Sequence, residues 1–280
     1  DVYGWKIDSN LRAYIEGAYQ RNMRLAFRVV VDSRDKRTEF TPQFVKDAGA
    51  KGFMNKGKWS PYSDDPVFQK YYTKFVKALA KDFNDPSKVE FIDGFGLGKW
   101  GEYHTMIYST GDDTPKKAVF DWVTDIYSQA FDKVPVVINY HRWIGAGKDW
   151  VDDEHFAADS EEMLEGAIKK GYSLRHDAFG MTTYYGSWER RFAKKYRNIC
   201  PIIMEGGWIV KSHSYWQDPR GYRKDSHEDV RRGEFDDSKE AHVNMMDFRF
   251  GDTESWFKDA FDLVRRFLRE GGYRLYPSEI

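Results

Sequence analysis

The chain has 280 residues, 41% of them hydrophobic and 32% charged, with 44 basic against 45 acidic side chains and a formal net charge of -1. That balance excludes nucleic acid as the main partner, because neutralising phosphates takes a strong basic excess. No apolar run approaches the roughly 18 residues of a membrane span, and the single cysteine, Cys200, excludes an internal disulfide.

The repeating unit is a helix signal followed by a short apolar strand. Leu11 to Gln20 reads as helix, and Arg24 to Val31 (RLAFRVVV) as the strand after it. Asp65 caps the next helix with Pro66 at its first position, where the missing N–H does no harm. Phe68, Tyr72, Phe75, Leu79 and Phe83 then share one face at helical spacing. Val89 to Phe95 follows as a strand. Thr114-Pro115 repeats the cap signal, ahead of a buried stripe of Val119, Trp122, Val123, Ile126 and Ala130.

Val134 to Asn139 is the next strand, and a helix over Glu161 to Lys170 leads into a strand over Ser173 to Gly180. A short helix from Trp188 to Tyr196 precedes the strand Cys200 to Glu205 (CPIIME). The polar stretch His213 to Lys239 reads as a long loop, either a substrate-shaping insertion or a surface excursion. Val243 to Asp247 is the last strand. A closing helix spans Glu254 to Glu270, with Trp256, Phe257, Ala260, Phe261, Val264, Phe267 and Leu268 facing inward.

Strands alternating with helices imply a parallel sheet in a single α/β core. The length suits a (β/α)8 TIM barrel of about 250 residues. Six strands are countable, so the expectation is a barrel represented by strands 3 to 8 over residues 1–272, its first two β/α units lying upstream. An open doubly wound sheet of six strands is the alternative. Gly272 to Leu275 reads as the lead-in to something further, which makes 273–280 a separate short segment.

Parallel α/β folds place functional groups at the carboxyl ends of strands. After Val89 to Phe95 come Trp100, Gly101, Glu102 and His104; after Cys200 to Met204 come Glu205, two glycines and Trp208. Two carboxylates on one rim, flanked by tryptophan, fit glycoside hydrolysis, which needs one acid and one nucleophile or base. Tryptophan faces suit the C–H faces of sugar rings, and aromatic content is 17%. Against this, Glu102 can simply favour a helix start, and a surface glutamate is more often solvated than catalytic.

The run Gly96 to Gly101 satisfies G-x-G-x-x-G, but Glu102 directly after it puts negative charge where a pyrophosphate would dock. No H-E-x-x-H, paired C-x-x-C, G-x-S-x-G or Walker loop is present. His104, His141 and His176 lack ligand spacing. No metal and no cofactor are therefore expected. Arg28 interrupts an apolar strand and must be paired when buried, for structure or for substrate orientation. Asn139, His141, Asp177 and Tyr184 are candidates for sugar hydroxyls, or else satisfy one another. Trp100, Trp143 and Trp208 are the candidate sugar platforms.

PYSDDPVF, VEFIDGFGLGKWGEYH and PIIMEGG together resemble a group of bacterial barrel proteins related to glycoside hydrolase clan A. Their pattern has a D-D-P-x-F helix start, a strand ending in G-x-W-G-E-x-H, and a later strand ending in Glu-Gly. Tyr3, Trp5 and Asp8 match a further G-x-Y-x-W-x-x-D stretch that follows the second strand in such proteins. The resemblance implies Glu102 as acid/base after strand four and Glu205 as nucleophile after strand seven, acting with retention on a β-linked poly- or oligosaccharide. It also implies a β-sandwich after the barrel, and a polysaccharide substrate in turn leads to the expectation of a secreted or periplasmic protein. One departure stands out: the clan usually has Asn before the acid/base, and here that residue is Gly101. A non-catalytic carbohydrate-binding barrel and a polysaccharide lyase using Tyr184 or His104 remain open beside the hydrolase.

Overall fold

In a computed structural model, residues 9–34, 38–148, 154–179, 184–206, 227–247 and 253–270 are described. The chain divides into two compact units, one of Asp1–Ile138 with Trp143–Tyr172, the other of Asn139–Arg142 with Ser173–Ile280.

The first unit opens with α1 (Ser9–Gln20) and β1 (Leu25–Arg28). A short helix α2 (Gln43–Asp47) and an antiparallel hairpin of β2 (Gly52–Asn55) and β3 (Lys58–Pro61) follow. Helix α3 (Pro66–Phe83) begins as its sequence dictates: the Asp65 carboxylate accepts from the Phe68 backbone N–H at 2.9 Å, and Pro66 takes the first helical position. Its buried face includes Phe68, Tyr72, Val76, Leu79 and Phe83. β4 (Val89–Asp93) comes next, then α4 (Lys116–Ala130), β5 (Val136–Asn139), whose last residue falls in the second unit, and α5 (Glu154–Lys169).

β4 lies parallel between β1 and β5, with Phe27 opposite Ile92, Arg28 opposite Asp93, and Asp93 opposite Val137. The start of α4 differs from expectation. The Asp112 carboxylate accepts the Thr114 backbone N–H at 3.0 Å, so the turn is closed by Asp112, and Pro115 at the cap position makes no side-chain bond.

The second unit contains β6 (Ser173–Phe179), α6 (Ser187–Tyr196), β7 (Ile202–Gly206), α7 (His227–Glu240), β8 (Met245–Asp247), α8 (Thr253–Asp259) and α9 (Phe261–Glu270). β7 runs parallel to both β6 and β8, and the Tyr140 N–H, just past β5, donates to the Arg175 carbonyl at 2.9 Å. These six parallel strands alternating with helices give the expected fold class, the β/α repeat of a (β/α)8 barrel.

Two expectations are corrected here. His227–Glu240 is a helix, not loop; its buried side includes Arg231, Glu234, Asp237 and Ser238 beside Phe235. The closing helix is two helices broken at Ala260. Trp256, Ala260, Leu263 and Val264 form a core with Phe235, whereas Phe257, Phe261 and Leu268 face solvent. Among the described residues no helix is long and apolar enough to cross a membrane.

Candidate active site

The loop after β4 is built from unusual backbone. Gly96, Gly98, Trp100, Gly101, Tyr103 and Thr105 all have positive φ, with Trp100 at 60°, Tyr103 at 64° and Thr105 at 45°. Left-handed conformations cost non-glycine residues on the order of 1–3 kcal/mol each and persist where surrounding contacts over-determine them. Those contacts are present. The Lys99 N–H donates to the His104 carbonyl at 2.9 Å, Tyr103 N–H to the Leu97 carbonyl at 2.9 Å, and Glu102 N–H to the Lys99 carbonyl at 3.2 Å. At the root of the loop, Tyr72 donates its hydroxyl to the Phe95 carbonyl and Tyr172 to the Gly94 carbonyl, each at 2.7 Å.

This loop aims Glu102 back at β1. Arg28 donates Nε to Asp93 Oδ2 at 2.6 Å, and its Nη1 pairs with Glu102 Oε1. Asp93 is fully buried and Glu102 is 2% exposed. His104 Nε2 lies 3.8 Å from the other Glu102 oxygen. The expected pairing of Arg28 with a carboxylate is therefore seen twice over. Asp93 is not legible as a site residue in the sequence, because β4 (VEFID) carries two acids and only the structure shows which of them is buried.

Gly101 explains the departure before Glu102. Its φ is +75°, and a Cβ there would sit 2.7 Å from the Val29 carbonyl oxygen and 3.2 Å from Arg28 Cδ. An asparagine does not fit this backbone without displacing the Val29 backbone just past β1. Trp100 is 37% exposed, with Lys99 Nζ 4.3 Å from its ring centroid. Trp143 is 1% exposed and packs inside the first unit, offering no open face.

The second unit holds a parallel arrangement. Glu205 stands near the end of β7, opposite Asp247 on β8. Arg175 on β6 donates Nη2 to Glu205 Oε2 at 2.6 Å and Nε to the same oxygen at 3.2 Å, and Nη2 also reaches Asp247 Oδ2 at 3.0 Å. Arg175 is a further site residue whose signal in SLRHDAF is the same as in RLAFRVVV, an arginine set into a strand.

Asn139 is 1% exposed, and among the described residues neither polar atom of its side-chain amide has a hydrogen-bond partner. Such a group is costly to bury unsatisfied. His141 is buried, Asp177 lies 3.7 Å from His176 Nδ1, and Tyr184 is half-buried. Trp208 and residues 271–280 lie outside the described residues. Among those described, no group of three or more His, Cys, Asp or Glu is arranged to hold a metal ion.

No protein-family model and no curated protein sequence matches the chain. Solved structures similar to it include endo-glycoceramidase II from Rhodococcus sp., at 12% identity and TM-score 0.45, covering 88% of this chain and 61% of that one. An endo-1,4-beta-xylanase from Caldicellulosiruptor owensensis matches at 11% identity and TM-score 0.46, over 89% of this chain and 75% of its own. A GH5-4 broad specificity endoglucanase from an uncultured bacterium matches at 10% identity and TM-score 0.48, over 97% and 77%. The chain thus spans 61% of the length of the endo-glycoceramidase.

Proposed function

We propose that the protein is a retaining glycoside hydrolase acting on a β-linked poly- or oligosaccharide, with Glu205 as nucleophile and Glu102 as acid/base. The observation that carries this reading is a repeated one. Each glutamate lies at the carboxyl end of a parallel strand, and each is gripped by an arginine from the strand before it in the sheet, Arg28 for Glu102 and Arg175 for Glu205. That is where α/β folds keep their chemistry.

The two environments suit two roles. A nucleophile must be ionised and aimed, and Arg175 bound to one oxygen of Glu205 does both. Around Glu102, one guanidinium serves two buried carboxylates. His104 Nε2, 3.8 Å from the second Glu102 oxygen, stands beside the carboxyl group that the acid/base role requires.

In the first step a Glu205 oxygen bonds to the anomeric carbon, the glycosidic C–O bond breaks, and Glu102 passes its proton to the leaving oxygen. Water then attacks the same carbon, Glu102 takes the water's proton, and Glu205 departs. Asn139 supplies an amide to a sugar hydroxyl and Trp100 a face, and a polysaccharide substrate suits an exported protein.

A non-catalytic carbohydrate-binding role is favoured by one fact: both glutamates are engaged in ion pairs, and Glu102 is closed to solvent. A product-release screen over β-linked polysaccharides separates the two. The hydrolase reading expects reducing ends from the wild type, none from Glu205→Gln, and binding retained in that variant. Binding without release by the wild type, or full activity in Glu205→Gln, overturns it.

A further inference from the structure

Beyond the end of β1 the sequence runs Asp32-Ser33-Arg34, all three buried. Arg34 is fixed before it touches the site loop. Its Nε donates to Asp32 Oδ2 at 2.7 Å and its backbone N–H to Asp32 Oδ1 at 2.8 Å. The guanidinium carbon stands 5.4 Å from the centroid of the Phe53 ring on β2. Ser60 on β3 donates its hydroxyl to Asp32 at 3.4 Å and accepts the Ser33 N–H at 2.8 Å, so the hairpin holds the acid that holds the arginine. With its plane set, Arg34 donates Nη2 to the Thr105 carbonyl at 2.7 Å.

Thr105 is the last left-handed residue of the loop carrying Glu102 and His104, and it is β-branched, a residue type for which positive φ is an outlier. The start of that loop is tied to β1's continuation through Val31 N–H to the Gly96 carbonyl at 3.3 Å. Arg34 ties down its end. Strain of this kind relaxes when a restraint is removed, and the residues that move with Thr105 are its neighbours His104 and Glu102.

We infer that Arg34 is a positioning residue for Glu102, acting through the Thr105 carbonyl to keep the acid aligned for proton donation. The inference rests on Glu102 being the acid/base of the proposed hydrolase. It assigns to Arg34 no contact with substrate. A lysine at this position keeps the charge beside Asp32 but loses the planar fork that meets Asp32 and Thr105 at once.

The test uses leaving-group dependence. Dinitrophenyl β-glycosides depart without protonation, whereas methyl β-glycosides of the same sugar need the acid. Both are assayed as glucosides, xylosides, mannosides, galactosides and their β-linked disaccharides, and kcat/KM is compared because it reports the first bond cleavage. For Arg34→Lys and Arg34→Gln, the methyl-to-dinitrophenyl ratio of kcat/KM is expected to fall on the order of 10- to 100-fold, as a misplacement near 1 Å produces. A merely structural role lowers the active fraction, which cancels in the ratio and leaves it unchanged, and that result overturns the inference. Glu102→Gln is the control. Its ratio should fall further, and an unchanged ratio there, or a wild type inert on every glycoside, overturns the acid/base reading itself.

Discussion

Arg28 and Glu102, 74 positions apart in sequence, are joined as an ion pair in which the glutamate is closed to water and the arginine is already committed to Asp93. The cluster holds one guanidinium between two carboxylates. Removing the guanidinium leaves both acids buried without their counter-ion, and breaking a buried pair in this way costs about 3–5 kcal/mol. Arg28→Met is therefore expected to lower the unfolding free energy, read from urea denaturation, by an amount in that range. Converting Asp93 to Asn in the same variant should recover part of the loss, because one fewer charge is then stranded. A variant as stable as the wild type contradicts the pairing.

Gly101 sets the backbone that presents Glu102. A Cβ at this position meets the Val29 carbonyl at 2.7 Å while the residue holds φ at +75°. Gly101→Ala should cost roughly 1–3 kcal/mol from the left-handed conformation alone, with more from the displaced Val29 backbone. Gly101→Asn, the residue usual in the resembled clan, should be no better tolerated in stability. Thermal denaturation checks both, and an asparagine variant with undiminished Tm contradicts this account of the departure.

The start of α3 and the strand that leads into the Glu102 loop were legible because single residues announce them: Asp65 before Pro66, and an apolar run breaking into glycines. The hairpin of β2 and β3 was not. Its turn places Lys56 at φ 47° and Gly57 at φ 75°, where Asn-Gly is the familiar signal, and a lysine in the first position conceals it. Helix α7 was hidden for another reason. Its buried side carries Arg231, Glu234, Asp237 and Ser238, so a search for apolar periodicity finds just Val230 and Phe235 in 14 residues. Asp237 is matched by Arg190 of α6, through two bonds of 3.1 Å, a partnership no local pattern reveals. In the site, both glutamates stood out at strand ends, but Asp93, Arg175 and Arg34 required knowledge of which strands are neighbours.

Buried phenols give the fold an alkaline limit. Burial, foremost, holds the hydroxyls of Tyr72, Tyr103, Tyr140 and Tyr172 well above the ordinary tyrosine value of 10.0, with neighbouring tyrosines adding to the shift. The folded state thus keeps protons that the unfolded chain releases near pH 10. Stability from these groups is full below that pH and falls as pH rises above it. Urea midpoints should decline beyond pH 10 together with a cooperative appearance of phenolate absorbance. Phenols that ionise with the fold intact, and at the ordinary pH, contradict their burial.

Cys200 should be a poor nucleophile. Burial pushes its thiol up to about 11, leaving little thiolate at neutral pH. Iodoacetamide at pH 8 is expected to label it far more slowly than a free thiol and to reach it quickly once urea unfolds the chain. Fast labelling of the folded protein contradicts this.

The central claim is that Glu205 bonds to sugar. The most direct measurement is trapping with fluorinated β-glycosides, whose second step is slowed, followed by mass mapping of the labelled peptide. The account predicts one glycosyl adduct, located on Glu205 and absent from Glu205→Gln. An adduct on another carboxylate, or steady turnover with no adduct on any residue, contradicts it.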